Sequence, residues 1–287
     1  MSPESGGVAA PARLMALTFL ATCVTFISAG IQRLVCRHAA SLGLLKTNFE
    51  GKPIAASVGV AIWAAVVPGY LFAAILFPSY RQLALTFAMI SFAVGLLGLL
   101  DDRHGSRSVG GFRGHFSELL RGRITTGAVK ALLIPPIAFT AALLILRQPA
   151  VKAILTMAIV ALSANALNLL DVRPARACNA WIAGCLALFV ISADAPLWPL
   201  GLALGPVLVY WPVDAARRGM LGDVGANLIG AILGLQIATA APVWARAAAV
   251  PLLLLLLSYS ERRSLSAAID ASPWLRWLDW GTGTVRT

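Results

Sequence analysis

Three short acidic stretches of this chain have the residue types and spacing that metal or phosphate chemistry needs. Asp101 and Asp102 end an apolar run as GLLDD. Asn165, Asn168 and Asp171 recur at every third position where the run 151–170 closes, in SANALNLLDVRPAR. At about 100° per residue, that spacing keeps them on one helical stripe. Asp223 stands between two glycines in MLGDVGA, just before another apolar run. Paired carboxylates at a helix C-terminus sit at the unfavourable end of the dipole, a cost that a cation offsets. An Asp at a glycine-flanked helix start sits beside free N–H groups that suit an anion. Lys130, Arg173 and Arg176 supply positive charge nearby in sequence. Carboxylates and cations in this combination suit a metal-bound diphosphate. Magnesium takes a few carboxylates plus phosphate oxygens and stabilises a leaving phosphate. Each motif also has a plain structural reading: a solvated helix end, an N-cap, a snorkelling lysine, or arginines that only set topology.

The elements that must position these residues are long apolar helices. The chain has 287 residues, 59% hydrophobic and 12% charged, with a mean hydropathy of +0.82. A soluble domain would carry about twice that charged fraction. Uninterrupted runs with weak alternation predict an all-α, polytopic integral membrane protein rather than an outer-membrane barrel. The net charge of +11 then reads as a topology signal with anionic lipid as its partner. No basic patch with interleaved aromatics points to nucleic acid. Cys23, Cys36, Cys178 and Cys185 form no CxxC pair, so buried inert thiols are expected rather than a disulfide framework or a zinc site. The first run lacks the basic n-region of a cleaved signal peptide and reads as a retained span.

About nine spans are expected, over residues 13–35, 54–77, 82–100, 127–146, 151–170, 177–193, 197–211, 225–240 and 243–259. Pro135 and Pro136 predict a kink in the fourth. Arg13, Arg81, Arg147, Lys152 and Arg246 fall in the N-terminal segment and the even-numbered loops. Lys130 lies just inside the fourth span, and all other Lys and Arg residues fall in the odd-numbered loops and the tail. By the positive-inside rule, the N-terminus is outside and the C-terminus cytoplasmic. Asp101, Asp102, Asp171 and Asp223 then share the cytoplasmic face. The chain reads as one membrane-embedded domain, with residues 259–287 as a cytoplasmic or interfacial tail. GFRGHFSELLRGR at 111–123 predicts a short interfacial helix. Trp274, Leu275, Trp277, Leu278 and Trp280 suit a helix lying in the headgroup region.

GLLDD, NALNLLD and MLGDVG together resemble three signatures of the polyprenyl-phosphate N-acetylhexosamine-1-phosphate transferases, the MraY/WecA-like glycosyltransferases of family 4. NFEGKPIAASVG at 48–59 resembles the first-loop signature, with Asn48, Gly51, Pro53 and Gly59 in place. The resemblance implies transfer of a sugar-1-phosphate from a nucleotide-sugar, such as a UDP-N-acetylhexosamine, to undecaprenyl or another polyprenyl phosphate. UMP is released, with Mg2+ or Mn2+ as cofactor, at the cytoplasmic face of the inner or plasma membrane. It implies Asp101, Asp102 and Asp171 as catalytic residues and Asp223, Asp101 and Asp171 as metal ligands, with Asn48, Lys130, Asn165 and Asn168 binding substrate. Outside the family pattern, Arg173 and Arg176 could bind the substrate phosphate that histidines bind elsewhere. The partners implied are the lipid phosphate, the nucleotide-sugar and membrane lipids, and a homodimer is compatible with it.

The chain departs from the family pattern at several points. Gly105 stands where a third Asp often follows the pair, and Val172 where a Gly usually follows the middle Asp. Arg173 and Arg176 are unlike the peptidoglycan enzyme, and Ala226 replaces a frequent Ser. SERRSLS at 260–266 has no histidine where many bacterial members carry a histidine-rich loop, and no tenth span is read. A donor of altered specificity follows from these changes. The other reading is a catalytically silent lipid-phosphate-binding or scaffold protein on the same fold. A transporter would keep its charges at mid-membrane, and no DG-x-x-AR run suggests a CDP-alcohol phosphotransferase.

Overall fold

A computed structural model describes residues 6–47, 51–105, 111–192 and 194–281. Helix α1 (Gly6–His38) leads to a small antiparallel hairpin, β1 (Leu45–Thr47) and β2 (Pro53–Ala55), which pairs Lys46 with Ile54. Then follow α2 (Val60–Leu76), α3 (Arg81–His104), α4 (Gly111–Leu120) and α5 (Thr126–Thr140). Next come α6 (Ala150–Leu170), α7 (Arg176–Ile191), α8 (Trp198–Ala215) and α9 (Gly222–Ala240). After α10 (Val243–Ser260) come the short α11 (Leu265–Ala271) and a 3-10 turn, Arg276–Asp279. The described residues are therefore all-α apart from one hairpin. Helix α5 runs through Pro135 and Pro136 and passes into a π-turn at Ala141–Ile145.

Six of these helices are long and apolar enough to cross a membrane: Pro11–His38, Pro78–His104, Thr126–Ile145, Ala150–Leu170, Gly222–Ala240 and Val243–Ser260. Val60–Leu76 and Arg176–Ile191 are apolar but shorter. The distribution of side chains is that of a membrane protein. No residue of α10 is buried, yet Leu252 and Leu255 are 63% and 67% exposed. A leucine-rich helix on the outside of a bundle is costly in water and ordinary in lipid.

The core is built on α9, which buries 14 residues from Val224 to Ala238. Its glycines let neighbouring backbones close in, the small-residue packing of membrane helices. A Cβ on Gly230 would lie 2.5 Å from the Ser163 carbonyl oxygen of α6. One on Gly98 of α3 would lie 2.5 Å from the Asp223 carbonyl oxygen. Two interior side chains donate to backbone carbonyls: Trp181 Nε1 to that of Ile229 (2.8 Å) and Gln236 Nε2 to that of Pro196 (3.0 Å).

The second expected span began too early. Residues 53–55 are strand, and α2 starts at Val60. Proline 53 donates no N–H, and Ser57 has φ 57°, so a helix cannot run through this segment. The loop instead hydrogen-bonds to the stretch before α9. Met220 N donates to Ala55 O (2.7 Å), Val58 N to Met220 O (2.9 Å) and Gly59 N to Leu221 O (3.0 Å). This three-rung tie fixes where Asp223 emerges.

Candidate active site

The site lies at the end of the bundle where α3, α6 and α8 finish and α5, α7 and α9 begin. The helix α3 carries Asp101 and Asp102 in its last turn. Thr125 caps α5 through its side chain, which accepts from Ala128 N (3.2 Å), and this sets Lys130 one turn into the helix. The Gly98 approach brings the first turn of α9 against α3, so Asp223 meets Asp101. Lys130 Nζ is paired with both Asp101 Oδ2 and Asp223 Oδ2. Thr126 Oγ1 donates to the other oxygen of Asp101. Lys130 is buried, and its two partners are largely covered.

The two paired aspartates have different surroundings. Asp102 Oδ1 accepts from Lys46 Nζ (3.2 Å), and its Oδ2 accepts from Val224 N (3.1 Å). A carboxylate of the chain itself thus occupies the amide at the start of α9 that the sequence offered to an external anion. Gly222 makes this fit. It has φ +73°, and a Cβ there would lie 2.7 Å from Asp102 Oδ2. Asp102 orients α9 and the Lys46 hairpin, while Asp101 faces the shared cation.

Asp171 forms the C-cap of α6, its N–H donating to Leu167 O (3.1 Å). Burial pushes its carboxyl well above the usual range, and the charges of Asp214, Asp223 and Asp102 push it further, against a hydrogen bond from the Gly222 backbone. The four acidic side chains therefore share one electrostatic neighbourhood. Asn165 is exposed and Asn168 half-buried on the last two turns of α6. Asn48 lies outside the described residues.

Asp214 was not singled out in the sequence. It is buried near the end of α8, and its Oδ2 accepts from Ala175 N (3.0 Å). Ala175 has φ +60°, so Asp214 secures the left-handed turn that follows Asp171. The signal for it was legible: an Asp ending an apolar helix just before Arg217 and Arg218, as Asp101 precedes Arg103. A cavity of about 50 Å³ lies between Asp171, Arg173, Asp214 and Arg217, floored by Ile54 and Met220.

Arg173 and Arg176 are not drawn into the carboxylate cluster. Arg173 Nη2 lies 3.5 Å from Asp270 Oδ2. Arg176 is fully buried. Its Nε and Nη2 donate to the two oxygens of Asp279 (2.7 and 2.8 Å), and its Nη1 donates to Ser266 Oγ (2.9 Å). Every nitrogen of that guanidinium donates to the C-terminal segment. Arg173 still borders the cavity.

Among the described residues, no group of three or more His, Cys, Asp or Glu side chains is gathered tightly enough to hold a metal ion. Carboxylate oxygens are nonetheless the donor type that magnesium takes. Asp101 and Asp223 converge on one cation, the Lys130 ammonium, and their ligands are hard oxygens. Magnesium needs only one or two such carboxylates when phosphate and water complete its shell. The carboxylates and the Lys130 ammonium thus gather at one end of an apolar bundle. A scan of protein-family models finds no match to this chain, and a search of the curated proteins finds no similar protein.

Proposed function

We propose that this protein transfers a sugar-1-phosphate from a nucleotide-sugar, such as a UDP-N-acetylhexosamine, to undecaprenyl or another polyprenyl phosphate, releasing UMP. The observation that carries this reading is the meeting of Asp101, Lys130 and Asp223, with Asp171 nearby. These residues are far apart in sequence and come together at one end of apolar helices. That is where a lipid phosphate, anchored by its chain, meets a water-soluble donor.

In this reading an oxygen of the lipid phosphate attacks the sugar-linked phosphorus. The bond from that phosphorus to the UMP oxygen breaks, and the product is a polyprenyl diphosphate sugar. Asp101 and Asp223, with Asp171, would hold Mg2+ or Mn2+, which neutralises the diphosphate. Lys130 supplies a buried positive charge that either carboxylate or a phosphate oxygen can share. Arg173, Asn165 and Asn168 line the approach and orient the donor. Asp102 keeps α9 in register with α3, so that Asp223 stays opposite Asp101. Positioning and charge neutralisation supply most of the rate enhancement.

All nine long helices cross the membrane in this reading, with the N-terminus outside and the site in the cytoplasm. Helix α7, at 16 residues, spans about 24 Å at 1.5 Å per residue, so it needs a locally thinned bilayer. The test is product formation by the purified protein from a panel of nucleotide-sugars and undecaprenyl phosphate. Lack of product with every donor would favour a silent lipid-phosphate-binding scaffold.

A further inference from the structure

We propose that residues 264–281 form a membrane-interface strap. Its tryptophan face enters the headgroup layer of an anionic leaflet, while its aspartates hold the loop that follows Asp171. The inference stands apart from the transfer chemistry and needs only that the apolar helices lie in a bilayer.

The strap is docked rather than loose. Asp279 takes two hydrogen bonds from the buried Arg176, and Asp270 lies 3.5 Å from Arg173. Asn179 Nδ2 donates to the carbonyls of Leu278 (2.9 Å) and Trp280 (3.0 Å). Ile269 and Leu278 are buried beneath it. A bidentate Arg–carboxylate pair whose guanidinium is fully buried is among the stronger polar contacts a protein makes.

Its outer face is the opposite. Trp274 is 87% exposed, Trp280 71%, Trp277 47% and Leu275 40%. Three indoles turned outward from a clamped segment call for a partner that is apolar in part and wet in part. The level of the strap identifies that partner. Trp280 packs against Trp211 with ring centroids 5.6 Å apart, and Trp211 lies one turn inside the end of α8. Asn179 likewise lies within the first turn of α7. The strap thus sits level with the ends of the apolar helices, the zone where Trp collects in membrane proteins. Arg262, Arg263 and Arg276 are exposed alongside, and this charge matches anionic headgroups.

The test places p-benzoylphenylalanine at Trp274 or Trp277, and separately at Leu255 of α10, in the full chain within nanodiscs containing phosphatidylglycerol. After irradiation, intact-mass measurement reads the adduct. A phospholipid adduct at Trp274 and Trp277, in yield comparable to Leu255, is the expected result. Adduct at Leu255 alone, or crosslinking to a second copy instead of lipid, overturns the proposal. No adduct even at Leu255 overturns the placement of α10 in lipid, and the strap proposal with it. The clamp has its own test. Asp279→Asn should speed tryptic cleavage after Arg276 roughly tenfold as the segment opens, and an unchanged cleavage rate refutes the clamp.

Discussion

Lys130→Met is the sharpest probe of the cluster, because methionine keeps the stem and removes only the ammonium. In the native protein that ammonium is paired with both Asp101 and Asp223. The side chain of Lys130 is 11% exposed and those of its partners 15% and 29%, so solvent screens the stranded charges poorly. Removing one member of a buried ion pair costs about 3–5 kcal/mol, chiefly through the partner left uncompensated. The variant should therefore unfold at markedly lower temperature when followed by tryptophan fluorescence in detergent. The triple variant Asp101→Asn, Lys130→Met, Asp223→Asn strands no charge and should recover most of that loss, the coupling expected of contacting groups. Saturating magnesium should raise the midpoint of Lys130→Met more than that of the native protein. An ion at a hundred times its dissociation constant adds about 2.7 kcal/mol. A Lys130→Met protein within about 0.5 kcal/mol of native, the range of an ordinary surface change, would refute the reasoning.

Gly98→Ala puts a methyl 2.5 Å from the Asp223 carbonyl oxygen and 2.6 Å from Val224 Cα. Backbone must move, so a loss of about 1–3 kcal/mol is expected, measured by thermal unfolding with and without magnesium. Asp214→Ala leaves the Ala175 amide without its acceptor and should cost about 1–3 kcal/mol. Hydrogen exchange should rise first in the turn 171–176, while exchange in the body of α9 stays unchanged. If turnover is found, chelating divalent ions should abolish it, and adding back magnesium or manganese should restore it.

Much of the fold was legible because bilayer length and helix length are the same physical constraint. Apolar runs gave helices at nearly every expected place. The misplaced start of α2 came from a non-local cause. The segment 53–59 is apolar enough for a span, but its amides and carbonyls pair with 220–221, and no local pattern announces that tie. The carboxylates were legible singly, as acids ending or starting apolar runs. That Lys130 would join Asp101 to Asp223, and that Asp102 would face α9 instead, depends on the Gly98 and Gly222 contacts and could not be read from spacing. The partner of Arg176 was equally unreadable: its fork meets Asp279, more than a hundred residues away. Asp214 ends an apolar helix as Asp101 does, but it lies beyond the expected span 197–211.

The most direct measurement is transfer itself. The purified protein in nanodiscs containing undecaprenyl phosphate is supplied with magnesium and a panel of nucleotide-sugars labelled in the sugar. Labelled polyprenyl diphosphate sugar is the expected product, with one nucleoside monophosphate released per product. Both should be lost in Asp101→Asn and Asp223→Asn. No labelled lipid from any donor, or undiminished turnover in both variants, would contradict the account.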